Sequence, residues 1–149
     1  EVTAVDISEK AIELVKENAA LNSLTIQTEV ADVFEKLREY KKDRRKFGVV
    51  VLDPPAFTKS TDTVKDGYKG YKDVNVNGLK IVEKGGYLVT CSCSQHLTLN
   101  LFLQMIKESV IESGVRAKLV ELRMQSKDHA CVIGYDESLY LKVAVIKVL

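Results

Sequence analysis

Two short stretches hold most of the reactive groups: Asp53-Pro54-Pro55-Ala56-Phe57 and Thr90-Cys91-Ser92-Cys93-Ser94. The first follows Val49-Val50-Val51-Leu52, a β-branched run that reads as a buried parallel strand. Two prolines, with no N–H to donate, end that strand. An acid, two rigid residues and an aromatic ring are therefore held at its carboxyl end, which in open α/β sheets is the edge where ligands bind. The second stretch closes another apolar strand and presents two thiols. Asp6 and Asp32 also directly follow strand-like segments. An acid after the second strand of a nucleotide-binding sheet commonly accepts hydrogen bonds from ribose hydroxyls. Either acid alone reads first as a helix cap or turn residue; four polar strand ends on one edge describe a site.

The elements that must position these groups alternate along the chain. Residues 1–6 read as a strand. A helix capped by Ser8 runs to about Leu21, and Asn22 is expected to close it in the left-handed conformation. Thr25 to Val30 is a second strand. A short helix carrying Phe34, Leu37 and Tyr40 follows, and it ends in Lys41, Lys42, Arg44, Arg45 and Lys46. That basic run is read as a solvated helix end rather than an RNA-phosphate patch. Phe47–Leu52 is the third strand. The polar segment 58–70, with Gly67 and Gly70, is expected to be a mobile loop, and Tyr71 to Glu83 a helix ended by Gly85-Gly86. Tyr87 to Cys93 is a strand, Leu97–Ser113 an amphipathic helix closed by Gly114, and Lys118–Met124 and Leu139–Val148 are strands. Strand–helix alternation argues for a doubly wound, mostly parallel α/β sheet. The missing helix between the last two strands implies an antiparallel edge strand.

Composition sets the frame. The 149 residues fit one domain, with 46% hydrophobic and 29% charged residues as in ordinary globular proteins. No apolar run approaches the length of a membrane span. The net charge of +1 does not announce a nucleic-acid partner. Three cysteines, two of them two residues apart, fit reduced thiols in a cytoplasmic protein better than a disulfide framework. His96 and His129 lack metal-ligand spacing, so no metal is expected.

The pattern resembles the class I S-adenosylmethionine-dependent methyltransferases. More closely, it is similar to the 23S rRNA cytosine-5 methyltransferases that carry a PUA domain. The likeness spans nearly the whole chain. It is carried by Val5-Asp6-Ile7-Ser8, Asp53-Pro54-Pro55-Ala56-Phe57-Thr58-Lys59-Ser60 and Gly70-Tyr71-Lys72-Asp73-Val74-Asn75. It continues through Gly85-Gly86-Tyr87-Leu88-Val89-Thr90-Cys91-Ser92-Cys93-Ser94, Asp128-His129 and Glu137-Ser138-Leu139-Tyr140-Leu141-Lys142. Family members often have His where this chain has Gln95, and Pro where it has Ala130.

The resemblance implies a Rossmann-like fold, S-adenosylmethionine as cofactor and ribosomal RNA as substrate. It also implies methyl transfer to cytosine C5 through a covalent cysteine–C6 adduct. It would put Asp6, Ile7, Asp32, Val33 and Asp53 on the cofactor. Asp53 and the Pro54 carbonyl would grip the pyrimidine edge, with Pro55 and Lys59 beside them and Phe57 stacking on a flipped base. Cys93 is the expected nucleophile. It lies nearer the open strand end, where a thiolate is better hydrated, and its Ser-flanked context matches related enzymes. Cys91, on the same strand side by alternation, is the second candidate and otherwise a small buried residue. Cys131 reads as structural. No general base for the C5 proton stands out. Two other readings are kept: an amino-group or guanine methyltransferase that uses the DPP motif without a thiol, and a non-catalytic RNA- or partner-binding domain of the same fold. The sequence does not choose an oligomeric state; a homodimer is one possible assembly.

The glycine-rich turn of this fold, and the central strand before it, have no counterpart in residues 1–149. Those residues are therefore expected to be an N-terminally truncated methyltransferase domain. That strand would lie between the ones ending at Asp6 and Asp53, and its neighbours would leave backbone groups without partners. The chain alone is expected to be inactive and to bind cofactor weakly. Calorimetric titration with S-adenosylmethionine should detect no micromolar binding, and a micromolar Kd would refute the expectation.

Overall fold

The computed structural model describes residues 1–57, 61–135 and 138–149. It is an α/β Rossmann-like fold. β1 (Thr3–Asp6), α1 (Glu9–Leu21), β2 (Gln27–Val30) and α2 (Val33–Lys42) lead to β3 (Phe47–Leu52). A 3₁₀ turn, Thr61–Thr63, opens α3 (Val64–Ile81). β4 (Val82–Ser92), α4 (Leu99–Ser113), β5 (Ala117–Arg123) and β6 (Lys142–Val148) complete the chain. Among the described residues no helix is long and apolar enough to cross a membrane.

The strands form two hydrogen-bonded groups. β1 and β2 pair in parallel, and β3-β4-β6-β5 form a four-stranded sheet. β3 and β4 are parallel, whereas β6 runs antiparallel to both β4 and the edge strand β5. β1 and β3 do not pair, so each keeps one open edge. One face of the large sheet packs under α2, α3 and α4 through Leu37, Leu52, Val74, Leu88, Phe102 and Ile146. On the other face Val49 and Val51 of β3 are 58% and 63% exposed.

Local signals explain several boundaries. Ser8 Oγ accepts from Ala11 N at 3.3 Å and starts α1. Asp32 caps α2 by accepting from Phe34 N at 2.7 Å and Glu35 N at 3.3 Å. Gly114 ends α4 at φ 74. Asn22 does not take the left-handed turn expected of it. Its backbone and side-chain amides both donate to Asn18 O, so the turn falls one residue later, on Ser23 at φ 55.

Two larger differences surround α3. The part of the expected 58–70 loop from 64 onward is the first two turns of this helix, while residues 58–60 lie outside the described ones. Its glycines lower helix propensity, but Gly67 is buried and Gly70 lies against Phe57, where a Cβ would come within 3.3 Å of the ring. Close packing overrides propensity there. The helix also stops at Ile81, before Gly85-Gly86, because Val82 already pairs with Phe47. The next aligned pair is Val49 with Tyr87, so residues 83–86 bulge opposite Gly48. Gly85 takes φ 85, and a Cβ on Gly86 would lie 2.6 Å from Gly48 O.

The basic run after α2 is exposed, as expected of a helix end, but two of its members anchor it. The Arg45 guanidinium lies over the Tyr40 and Phe47 rings at 4.8 and 5.2 Å, and Lys46 Nζ donates to Lys80 O at 2.6 Å. The Tyr40 hydroxyl in turn donates to Glu29 at 2.6 Å, and Lys36 pairs with the same carboxylate, which ties β2 to α2. The Gly86→Ala variant should lose about 1–3 kcal/mol of stability, read as a lower midpoint in urea denaturation, because the obstructing atom is backbone and cannot rotate away.

Candidate active site

The carboxyl ends of β1, β2, β3 and β4 open on one cleft of about 850 Å³. Asp6 and Ile7 follow β1 there, Asp32 and Val33 follow β2, Asp53, Pro54, Pro55 and Phe57 follow β3, and Cys93 follows β4. Nine of the residues singled out from sequence thus share one cavity. Cys91 does not line it, and Lys59 lies outside the described residues. Register accounts for the convergence. Asp6 pairs with Val30 across β1 and β2, and Leu52 pairs with Thr90 across β3 and β4. The β1–β2 pair therefore ends at a common level, β4 runs two residues past the end of β3 to Ser92, and the residues that follow the four strands line one opening.

One side of the cleft suits a nucleoside. Asp6 Oδ1 accepts from Ser8 N at 2.7 Å, and Asp32 Oδ1 holds the first turn of α2. Each carboxylate keeps a second oxygen without a hydrogen-bond partner among the described residues. Two uncommitted acceptors on adjacent strands, with apolar Ile7, Val33 and Phe34 beside them, match ribose hydroxyls and a heterocyclic amine.

The other side is an aromatic platform under the prolines. Phe57 packs on Tyr71 with ring centroids 4.8 Å apart and on Phe34 at 5.8 Å. Tyr71 is fully buried, and its hydroxyl donates to Pro55 O at 3.4 Å, pinning the turn after β3. Burial raises the Tyr71 hydroxyl above the usual range, so it stays a donor near neutral pH. Phe57 still borders the cleft, although Gly70 and two rings occupy much of its surroundings.

The two strand-end thiols differ. Burial, followed by the nearby Asp53 charge and Cys93, pushes the Cys91 thiol up to about 11. Cys93 is half-buried and borders the cleft. Cys131, read as structural from sequence, is exposed instead, on the irregular segment before β6. His129 receives an edge-on contact from Tyr140, whose hydroxyl lies 2.9 Å from its Nε2. Phe34, Tyr140 and Leu141 line the cleft without having been named as site residues. Phe34 directly follows the singled-out Val33, and the other two sit in the stretch 137–142 that carried the resemblance; Glu137 of that stretch lies outside the described residues.

Comparison with known proteins agrees with this geometry. The family described as a methyltransferase domain matches residues 1–138. The chain belongs to that family. This methyltransferase domain is 38% identical over 150 residues to the ribosomal RNA large subunit methyltransferase I of Tolumonas auensis, a match covering 99% of the chain and 38% of that protein. It thus spans well under half the length of the curated relatives it matches. The fold is shared with a protein from Streptococcus mutans assigned to the SAM-dependent methyltransferases, at TM-score 0.83 and 23% identity over 97% of this chain and 38% of that one. It is also shared with the N-methyltransferase NodS of Bradyrhizobium japonicum, solved with S-adenosyl-L-homocysteine, at TM-score 0.62 and 13% identity over 98% of this chain and 65% of that one.

The difference between the thiols has a direct readout. At pH 8 about one Cys91 side chain in a thousand is a thiolate if it titrates near 11. Iodoacetamide should therefore modify exposed Cys131 well before Cys91, and Cys91 labelling should climb steeply only as the pH approaches 11. Comparable labelling of both at pH 8, followed by peptide mass spectrometry, would contradict the assignment.

Proposed function

We propose that this domain is the catalytic portion of an S-adenosylmethionine-dependent rRNA methyltransferase that modifies C5 of a cytosine in 23S rRNA through a covalent Cys93 adduct. The observation that carries the reading is the meeting of Cys93 with Asp53-Pro54-Pro55 in one cleft, opposite the Asp6 and Asp32 carboxylates. The curated relative named as a large-subunit rRNA methyltransferase supports the substrate class. The two free carboxylate oxygens support the cofactor. A cytoplasmic location follows from that substrate.

Bound S-adenosylmethionine supplies an electrophilic methyl group on a sulfonium. Asp6 would accept the ribose hydroxyls and Asp32 the adenine amine, with Ile7 and Val33 against the rings. Asp53 and the Pro54 carbonyl would hold the N3/N4 edge of the flipped cytosine, Pro55 would stiffen that grip, and Phe57 would stack on the base. The Cys93 thiolate would then bond to C6 and shift the displaced electron pair to C5, giving that carbon the nucleophilicity that acceptance of a methyl group requires. Loss of the C5 proton to a base regenerates the C5–C6 double bond and expels the thiolate. Cys91, held as a thiol by burial, would form part of the wall behind the nucleophile.

An amino-group methyltransferase would use the same Asp53-Pro54-Pro55 edge, but the exocyclic amine attacks directly and needs no thiol. The position of Cys93 at the cleft favours carbon methylation. In the full-length protein, Cys93→Ala should lower methyl transfer to rRNA by at least about a thousandfold, measured with radiolabelled cofactor and mapped by mass spectrometry. Unimpaired methylation would sink the covalent mechanism, and a larger loss in Cys91→Ala would move the nucleophile to that residue.

A further inference from the structure

Lys142 is 1% exposed, the only lysine among the described residues that is buried to this degree. It opens β6 directly opposite Ser92, the last residue of β4. Its Nζ donates to Ser94 O at 2.6 Å. A buried ammonium is costly unless a negative charge compensates it, and a neutral carbonyl supplies none. No carboxylate pairs with Lys142 among the described residues. The group whose charge favours the ammonium is Cys93, the residue before the clamped carbonyl.

The other titratable groups around the thiols work in the opposite direction. From the turn after β3, the Asp53 carboxylate acts on Cys91 and Tyr71, and Cys93 acts on Cys91. From α3, Tyr71 is raised mainly by burial, with Cys93 and Asp53 adding to it, and so remains a neutral phenol. From β6 comes Lys142, the one cation in the set. Burial lowers the Lys142 amine to about 8, and the interaction with Cys93 works against that fall. Below about pH 8 the ammonium form therefore predominates.

We infer that Lys142 is a positioning residue for Cys93: it clamps the Ser94 carbonyl, fixing the turn that carries the thiol, and its ammonium is the built-in countercharge for the thiolate. This deepens the proposed covalent reading and rests on it for its catalytic meaning. The Cys93 proton leaves to water, Lys142 keeps its own, and the sulfur lone pair forms the bond to C6. When that bond breaks, the electron pair returns to a sulfur beside the same cation.

The test compares the full chain with Lys142→Met, which keeps the length and removes the charge. Iodoacetamide labelling of Cys93, resolved from Cys91 by fragment-ion mass spectrometry, should be about tenfold slower at pH 7, with its rate profile displaced to higher pH. Exposed Cys131 in the same molecules should be unaffected, and Lys142→Arg should restore part of the rate. An unchanged Cys93 profile in folded Lys142→Met overturns the inference. Should that variant not fold, NMR titration of the Lys142 ε-carbon in Cys93→Ser gives the reciprocal measurement. The lysine midpoint should fall there, and an unmoved midpoint overturns the pairing. The catalytic reading fails separately. Slower Cys93 labelling in Lys142→Met together with full methylation by Cys93→Ala supports the pair and removes the covalent step. Loss of methylation in Cys93→Ala with labelling untouched by Lys142 does the reverse.

Discussion

The site depends on the parallel register of β3 and β4. With Leu52 opposite Thr90, β4 runs two residues beyond the end of β3, and the acid after one strand and the thiol after the other border a common opening. A shift of one residue would turn every side chain of a strand to the opposite face. It would bury Val51 where Leu52 now packs and carry Asp53 away from Cys93. The four-residue bulge opposite Gly48 is the device that sets this register, because it absorbs the slack between the end of α3 and the aligned part of β4. Gly86 lets the bulged segment approach the carbonyl of Gly48.

Around this axis the cleft is divided by origin. The nucleoside side comes from β1 and β2, which pair only with each other, and is fixed to the rest through α2 by the Glu29, Lys36 and Tyr40 cluster. The side with the prolines and Cys93 comes from the large sheet and is stiffened by Tyr71, whose hydroxyl grips the proline turn from below. Its aromatic stack continues through Phe57 to Phe34, which belongs to the nucleoside side. The stack is thus a direct bridge between the two halves.

Much of this was legible from residue types. A β-branched run stopped by two prolines, caps at Ser8 and Asp32, and a glycine after α4 are local signals, and the structure places each where local chemistry puts it. Most of the failures share a physical origin in tertiary contact; Asn22 is the local exception. Gly67 and Gly70 look like loop residues until the neighbours that exclude a side chain are known. Gly85 and Gly86 look like a helix stop, whereas they shape a bulge inside a strand. Asn22 has the right chemistry for a left-handed cap but spends both amides on Asn18. Lys142 sits in a strand of alternating pattern where a lysine suggests solvent. Only the pairing of β6 with β4 reveals that its side of the strand is the inner one. The cleft-lining residues after β3 and β4 were legible because strand ends are local; Phe34 and Tyr140 enter the cleft through packing and left no comparable mark.

The unpaired rim of β3 decides what can lie beside it. Strand rims in soluble proteins are usually blunted by charge, by proline or by a covering element, since a bare row of amides and carbonyls recruits any extended chain. Here the rim carries Val49 and Val51 with most of their surface in water, and no charged side chain of β3 interrupts them. Such a rim is adhesive. A further strand laid along β3 would satisfy those amides and carbonyls and cover both valines.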